Sequence, residues 1–391
     1  MKKTSSRRSF LATGLVLPAT AIASTSRTTF IGSQAAAAPA ARAGGLSYRV
    51  LGRTGLKVTS VGFGCMITSD QSVVEKAVDL GITYFDTARG YQQGNNERMV
   101  GAALKSKRNN LVLSSKTNSQ TKQEALGHLE TSLRELGTDH LDIWYLHGKS
   151  KAADLKDELM EAQAQAKKEG KIRFAGVSTH GGHAEVIPAM IEKKHHFDVV
   201  LAAYNFSMEP AITALLESAA KAGLGVVAMK VMAGGFRRAK PGEKVYDTLK
   251  REGAMLAALK WVLRNPNVHT SIPSITDMEQ LDEDMKAMTV PFAGADEKVL
   301  AAQLEYIRPL YCRSCGVCSG TCPKGLPVSD MLRYLSYAEG YGEYTLGREN
   351  FFALPAKVQA VRCNLCPTCA VQCPNGVRVA ERLVRAQEIF V

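Results

Sequence analysis

Between residues 58 and 288, short β-branched runs alternate eight times with longer amphipathic stretches. The strand-like runs lie at 58–64, 82–85, 111–115, 141–146, 172–177, 197–201, 225–229 and 268–272. The helical stretches lie near 71–80, 97–106, 121–136, 154–169, 183–194, 209–222, 247–264 and 278–288. Strict alternation implies an α/β fold with parallel strands joined by crossover helices. Eight units fit a closed (β/α)8 (TIM) barrel; the rival is an open doubly wound sheet. The open sheet's phosphate fingerprint is missing after the first strand, where Gly62-Phe63-Gly64 reads as a tight strand end.

A barrel of this kind keeps its chemistry where strands end and loops begin, at the C-terminal face. Asp86 follows the second strand, Lys116 the third and His147 the fourth, each directly after an apolar run. Tyr91 lies five residues beyond Asp86, in the loop 87–96. A phenol with a pKa near 10 is a poor acid–base group at neutral pH. A nearby ammonium stabilises the phenolate and brings that pKa down, and an aspartate keeps the ammonium charged and aimed. A histidine hydrogen-bonded to a carbonyl oxygen helps polarise it.

The segment Gly81-Ile-Thr-Tyr-Phe-Asp86-Thr87-Ala88, then Tyr91, Glu97 and Gly101, resembles the aldo-keto reductase family. Leu113-Ser114-Ser115-Lys116 and Leu141-Asp142-Ile143-Trp144-Tyr145-Leu146-His147 follow in family order, and the resemblance spans about residues 46–290. It implies a carbonyl–alcohol oxidoreductase in which Tyr91 is the acid in reduction and the base in oxidation, served by Lys116, Asp86 and His147. It also implies a nicotinamide dinucleotide, NAD(H) or NADP(H), across the barrel mouth. The family contacts the carboxamide at Ser178 and Thr179; the usual asparagine is Thr179 here, and the glutamine common after strand six falls at about Leu201. Met229-Lys230 replaces the aromatic that often stacks on the nicotinamide, which leaves Lys230 to meet pyrophosphate or substrate. Ser274, Asp277 and Gln280 stand at a helix start suited to phosphate. The family's cations for a 2′-phosphate are absent and Asp277 would repel one, which favours NADH, or no free nucleotide at all.

Eight of the nine cysteines lie between 312 and 373. Cys312-x2-Cys315-x2-Cys318-x3-Cys322-Pro323 is followed by Cys363-x2-Cys366-x2-Cys369-x3-Cys373-Pro374, each the bacterial ferredoxin spacing. The fourth cysteine of each run serves the other cluster. Cys312, Cys315, Cys318 and Cys373 are thus assigned to one [4Fe–4S] cluster, and Cys363, Cys366, Cys369 and Cys322 to the second. The connection between the runs reads as helical over 328–339 and 354–361, resembling the α-helical ferredoxin type. This small iron–sulfur domain is expected over 296–391, after a linker at 289–295.

The net charge of +12 first suggests nucleic acid, but Lys2, Lys3, Arg7, Arg8, Arg27 and Arg42 supply half of it within residues 1–43, which hold no acid. No nucleic-acid-binding motif accompanies the rest. Ser6-Arg7-Arg8-Ser9-Phe10-Leu11 and the mildly apolar run after it resemble a twin-arginine export signal, cleaved after Ala43 or Ala23. No run of about 18 apolar residues occurs, so a multi-span membrane protein is excluded.

The sequence therefore predicts an oxidoreductase for a small carbonyl or alcohol, exported to a bacterial periplasm. Its clusters are expected to relay electrons to or from a redox partner protein. Two alternatives stand beside that reading: an electron-transfer subunit with an idle barrel, and an active reductase with purely structural clusters. No flavin motif is visible to convert hydride into single electrons.

Overall fold

The computed structural model describes residues 45–208, 210–234, 253–363 and 366–391. The export signal expected over 1–43 lies outside the described residues, as does the start of the helical stretch 247–264.

A hairpin comes first: β1 (Tyr48–Val50) pairs antiparallel with β2 (Lys57–Thr59). Eight parallel strands follow: β3 (Phe63–Gly64), β4 (Tyr84–Asp86), β5 (Val112–Thr117), β6 (Leu141–Leu146), β7 (Ile172–Thr179), β8 (Val199–Ala203), β9 (Gly225–Met229) and β10 (Thr270–Ser271). Each pairs with the next in chain order. Bridges from Val61 to Ser271 and from Gly64 to Ser274 bring β10 back to β3, so the barrel nearly closes. A Cβ on Gly64 would stand 2.7 Å from the Ile272 carbonyl oxygen, so closure needs glycine there. The helices between the strands are α1 (Gln71–Asp79), α2 (Asn95–Leu104), α3 (Lys122–Leu136), α4 (Asp157–Lys168), α5 (His183–Glu192), α6 (Pro210–Lys221), α7 (Ala254–Leu263) and α8 (Met278–Lys286).

Every residue of β5, β6, β8 and β9 is buried. Strands covered on both faces carry continuous apolar runs, which is why these segments stand out in the sequence. Tyr84, Ile143, Tyr145, Val199, Leu201 and Val227 fill the barrel interior. Their neighbours Phe85, Trp144, Leu146, Val200, Ala202 and Val226 pack under the helices, following the period-two alternation of strands. The Tyr84 and Tyr145 hydroxyls bond each other at 2.8 Å, so neither is orphaned in the interior. Leu51, Leu56 and Val58 of the hairpin join the interior cluster, and Arg53 N–H donates to Gly223 just before β9. The hairpin thus plugs the N-terminal end and leaves the C-terminal end as the mouth. The first strand expected at 58–64 is divided between this hairpin and the short β3.

Beyond α8, α9 (Gly294–Ile307) packs on the barrel. Lys260 of α7 pairs with Asp296 in its first turn at 2.6 Å, and Leu300 enters the barrel core. Four helices follow: α10 (Val328–Glu339), α11 (Tyr344–Phe352), α12 (Ala356–Gln359) and α13 (Val379–Phe390). Met331, Leu335, Phe351, Leu383 and Phe390 form their own core, each large side chain contributing about 1.5–3 kcal/mol by leaving water. Met66 and Ile67, from the loop after β3, belong to that core too, so the helices sit on the barrel mouth. Two close approaches fix them there. A Cβ on Gly340 would stand 1.8 Å from the Gly234 oxygen, and one on Gly181 would stand 2.3 Å from the Ser314 oxygen.

Candidate active site

Asp86 ends β4, and Lys116 lies one strand over, near the end of β5. The Lys116 ammonium donates to the Asp86 carboxylate, to the Thr87 carbonyl at 2.7 Å and to the Tyr91 hydroxyl at 3.3 Å. Its three protons thus have three acceptors. The other Asp86 oxygen accepts from the Ser114 hydroxyl at 2.7 Å. Both partners of the ion pair are buried, with side chains 1% and 2% exposed. Burial lowers the Lys116 ammonium's pKa and raises that of the Asp86 carboxyl, and the charge of each opposes the other's shift.

Tyr91 is placed by a tight loop. Gln92 and Gln93 adopt left-handed backbone with φ of 49° and 55°, a strained conformation for residues with a Cβ. Gln92 donates to the Thr68 carbonyl at 2.9 Å, and Gln93 reaches Glu349 of α11 at 2.6 Å. Underneath, Glu97 pairs with Arg89 and accepts from the Ser115 hydroxyl at 2.6 Å. Asn96 holds the Cys65 carbonyl at 2.7 Å. Cys65 itself is wholly buried, as a small apolar residue would be. Burial, followed by the Asp86 charge, pushes the Tyr91 phenol well above its ordinary pKa. This corrects the expectation that the neighbouring ammonium brings it down: with Lys116 already spent on Asp86, desolvation dominates.

His147 follows β6, and its N–H donates to the Thr117 carbonyl at 2.8 Å. Its ring stands edge-on to Tyr91 with centroids 6.0 Å apart, and His180 is tilted beside it at 6.4 Å. Burial, then the charges of Lys116, Lys230 and Arg333, lower the His147 pKa well below 6.5. The imidazole is neutral and able to donate one hydrogen bond.

The structure therefore brings Asp86, Tyr91, Lys116 and His147 together at the mouth. Asp86, Tyr91, Lys230, Ser274 and Gln280 line one cavity of ≈ 650 Å³, continuous with solvent, which Gly340 and Tyr341 cover from the C-terminal helices. Ser178 and Thr179 do not line it. Their hydroxyls accept from the Gly148 and Gly182 N–H groups, each at 2.9 Å. Asp277 caps α8, accepting from Gln280 N–H at 2.9 Å, and the Gln280 side chain folds back on Asp277 and Thr276. A second cavity of ≈ 340 Å³ lies between His180, Lys230, Tyr311, Cys312, Arg333 and Tyr337. Sequence reasoning missed Arg333, Tyr337 and Tyr341 as mouth residues; their helical spacing in an aromatic stretch was the available signal.

The cysteines fall into two neighbour sets. Cys312, Cys315, Cys318 and Cys373 line a cavity of ≈ 350 Å³ closed by Pro374 and Asn375. Cys363 has Cys369, Cys366 and Cys322 as its electrostatic neighbours. None of the nine cysteines is joined to another by a disulfide. Among the described residues no three His, Cys, Asp or Glu side chains are drawn tightly enough for a single metal ion. A cubane spreads its thiolates over four separate irons, so four cysteines around an open cavity fit it better than they fit one ion.

Residues 68–301 match the aldo/keto reductase family. Among curated proteins, an uncharacterized oxidoreductase of Bacillus subtilis, YrpG, is 30% identical over 310 residues, covering 65% of this chain and 94% of that protein. A second from the same species, YqkF, is 27% identical, covering 61% and 90%. Among solved structures, the holo form of aldo-keto reductase AKR11C1 from Bacillus halodurans is 27% identical with a TM-score of 0.57, covering 66% of this chain and 96% of that one. A Klebsiella pneumoniae aldo/keto reductase in complex with NADP and acetate is 25% identical with a TM-score of 0.54, covering 65% and 94%. The family match stops before Cys312.

Proposed function

The chain belongs to the aldo/keto reductase family of oxidoreductases, and we propose that it reduces a small carbonyl compound at Tyr91, with electrons exchanged through two [4Fe–4S] clusters. One observation carries this reading: the Lys116 ammonium holds the Asp86 carboxylate and the Tyr91 hydroxyl at once, at the mouth, beside His147.

When bound, a nicotinamide nucleotide would supply both electrons of the reduction as hydride, and clusters held by the two cysteine sets would supply, one at a time, the two electrons that return the nucleotide to its reduced form. The protein's own part is proton handling. The substrate oxygen accepts hydrogen bonds from the Tyr91 hydroxyl and the neutral His147 ring. As negative charge grows on that oxygen, Tyr91 delivers its proton. The phenolate left behind faces the Lys116 ammonium, which Asp86 holds in place. Burial keeps the Tyr91 phenol protonated in the free protein, the form that reduction requires.

The cleft running from Tyr91 to Ser274 and Gln280 opens to solvent, and a nicotinamide would lie along it. The complex of the Klebsiella relative with NADP supports a nicotinamide here. The Asp277 carboxylate at the α8 N-terminus disfavours a 2′-phosphate, which points to NADH. Cys312, Cys315, Cys318 and Cys373 would hold one cluster and Cys363, Cys366, Cys369 and Cys322 the other. Export through the twin-arginine route to a periplasm, and a redox partner there, complete the proposal. A domain division at 46–290 and 296–391 goes with it.

A second reading has its own observation. Gly340 and Tyr341 line the reactive cavity, so clusters that only shape the C-terminal helices would also matter for turnover. Anaerobic addition of NADH to the cluster-loaded protein, followed by visible absorbance, decides between them. Bleaching is expected for the relay. Bleaching by dithionite but not by NADH or NADPH would refute direct coupling to free nicotinamide and favour a retained cofactor, structural clusters or an idle barrel.

A further inference from the structure

Lys230 is the residue in the mouth that the proton-transfer scheme leaves unused. Its backbone is left-handed, with φ of 57°, and Asn205 clamps it there by donating to its carbonyl at 2.9 Å. Asn205 is itself fixed, accepting from Ser207 N–H at 3.1 Å and the Ser207 hydroxyl at 2.7 Å. Strain held by this many partners aims the side chain deliberately. The ammonium meets the Met66 sulfur at 3.4 Å and the Tyr337 and Tyr341 rings at 4.9 and 5.4 Å. Among the described residues no carboxylate pairs with it. Facing it across the second cavity is Arg333 of α10, whose one acid partner, Asp330, is 44% exposed. No Asp or Glu lines that cavity. The buried carboxylate that acts on Lys230, Asp86, is already bonded to Lys116, so an anion held between Lys230 and Arg333 would offset the burial of both cations. Lys230 and Tyr341 also line the cavity that holds Tyr91, so the two spaces adjoin.

We propose that the cleft between Lys230 and Arg333 is a subsite for the anionic group of a small oxo-acid or phosphorylated aldehyde whose carbonyl reaches Tyr91 and His147. The proposal rests on the reductase reading and narrows it to substrates bearing a negative charge. The narrow cleft between Lys230, Tyr311, Arg333 and Tyr337 suits a small anionic group rather than a polymer. Arg333 supplies a fork for carboxylate or phosphate, and Lys230 a point charge. The subsite exists only in the intact chain, because the barrel provides one cation and α10 the other.

The test is anaerobic kinetics with NADH on the cluster-loaded protein and its Lys230→Met, Arg333→Met and Arg333→Lys variants. The probes are 4-oxobutanoate against butanal, and glycolaldehyde phosphate against glycolaldehyde. The wild type is expected to favour a charged member of these pairs, and the pair with the larger preference tells carboxylate from phosphate. Either methionine variant is expected to raise the KM for that substrate about 10- to 100-fold with little change in kcat. Arg333→Lys should recover part of the loss. Equal handling of charged and neutral members by the wild type would overturn the subsite while leaving the reductase reading intact. So would variants that shift the cluster midpoint potential without moving the KM, since the cations would then serve the cluster at Cys312. If no aldehyde turns over, calorimetry with succinate and inorganic phosphate decides separately. Binding abolished by both methionine variants sustains the subsite and sinks the reductase reading; no binding overturns the subsite.

Discussion

Replacing Lys116 with methionine tests the centre of the site most directly. The substitution keeps the stem's bulk and removes only the charge from a pair whose side chains are 1% and 2% exposed. Asp86 keeps its bond from Ser114 but loses the ammonium that offsets its burial. Breaking a buried pair by removing one partner costs about 3–5 kcal/mol. The loss should depend on pH. Without Lys116 the folded-state pKa of Asp86 rises further above its unfolded value. The carboxyl then favours folding below the unfolded pKa, and that contribution disappears as pH rises through the folded value. Lys116→Met should therefore be most impaired at neutral pH and partly recover towards pH 5. Adding Asp86→Asn should restore much of the stability, because no buried charge is left unpaired. Urea unfolding followed by circular dichroism, on cluster-loaded protein at pH 5 and pH 7.5, measures each of these. A loss below about 1 kcal/mol at both pH values, with no rescue by the second change, would show that Lys116 and Asp86 are not a buried ion pair.

Tyr91→Phe should lower kcat for carbonyl reduction about 100- to 10,000-fold with little change in KM or melting temperature, since its hydroxyl makes one 3.3 Å contact. Wild-type kcat should show no inflection near pH 6.5, because His147 titrates well below that value and Tyr91 well above neutrality; a step near 6.5 in the pH–rate profile would count against both assignments. His147, His180, His183 and His269 all have lowered pKa values, His269 to about 4. The unfolded chain therefore binds more protons below pH 6.5, and the denaturant midpoint should fall as pH drops from 7 to 5. Gly340→Ala places a methyl group 1.8 Å from the Gly234 oxygen. Loosened docking should cost about 1–3 kcal/mol and expose the α10–α11 region to limited proteolysis.

What could be read in advance follows from burial. Asp86, Lys116 and His147 were visible because each interrupts or ends a strand covered on both faces, where a polar residue stands out against continuous apolar sequence. The helices α3, α5 and α8 were legible for the complementary reason: each keeps one apolar stripe at helical spacing. The hairpin was hidden because its strands have three residues each and β1 is largely exposed, so neither shows a usable period. The helix α11 went unread between two recognised segments. The cover over the mouth was invisible for a different reason: Gly340 against Gly234 and Gly181 against Ser314 join positions far apart in the chain. A local pattern carries no trace of such partners. Ser178 and Thr179 show a further limit, since their positions are right for ligand contact while their hydroxyls are occupied by neighbouring backbone N–H groups.

The placement of α10 has a consequence for how the molecule is made. The barrel strands precede α10 in the chain, so a ribosome releases them first. Until the residues after Val328 emerge, Tyr91 stands in an open bowl without Tyr341 above it or Arg333 facing Lys230. A chain that stopped before α10 would hold the reactive groups without the walls that select what reaches them. The order of translation thus places the selecting walls after the groups they enclose.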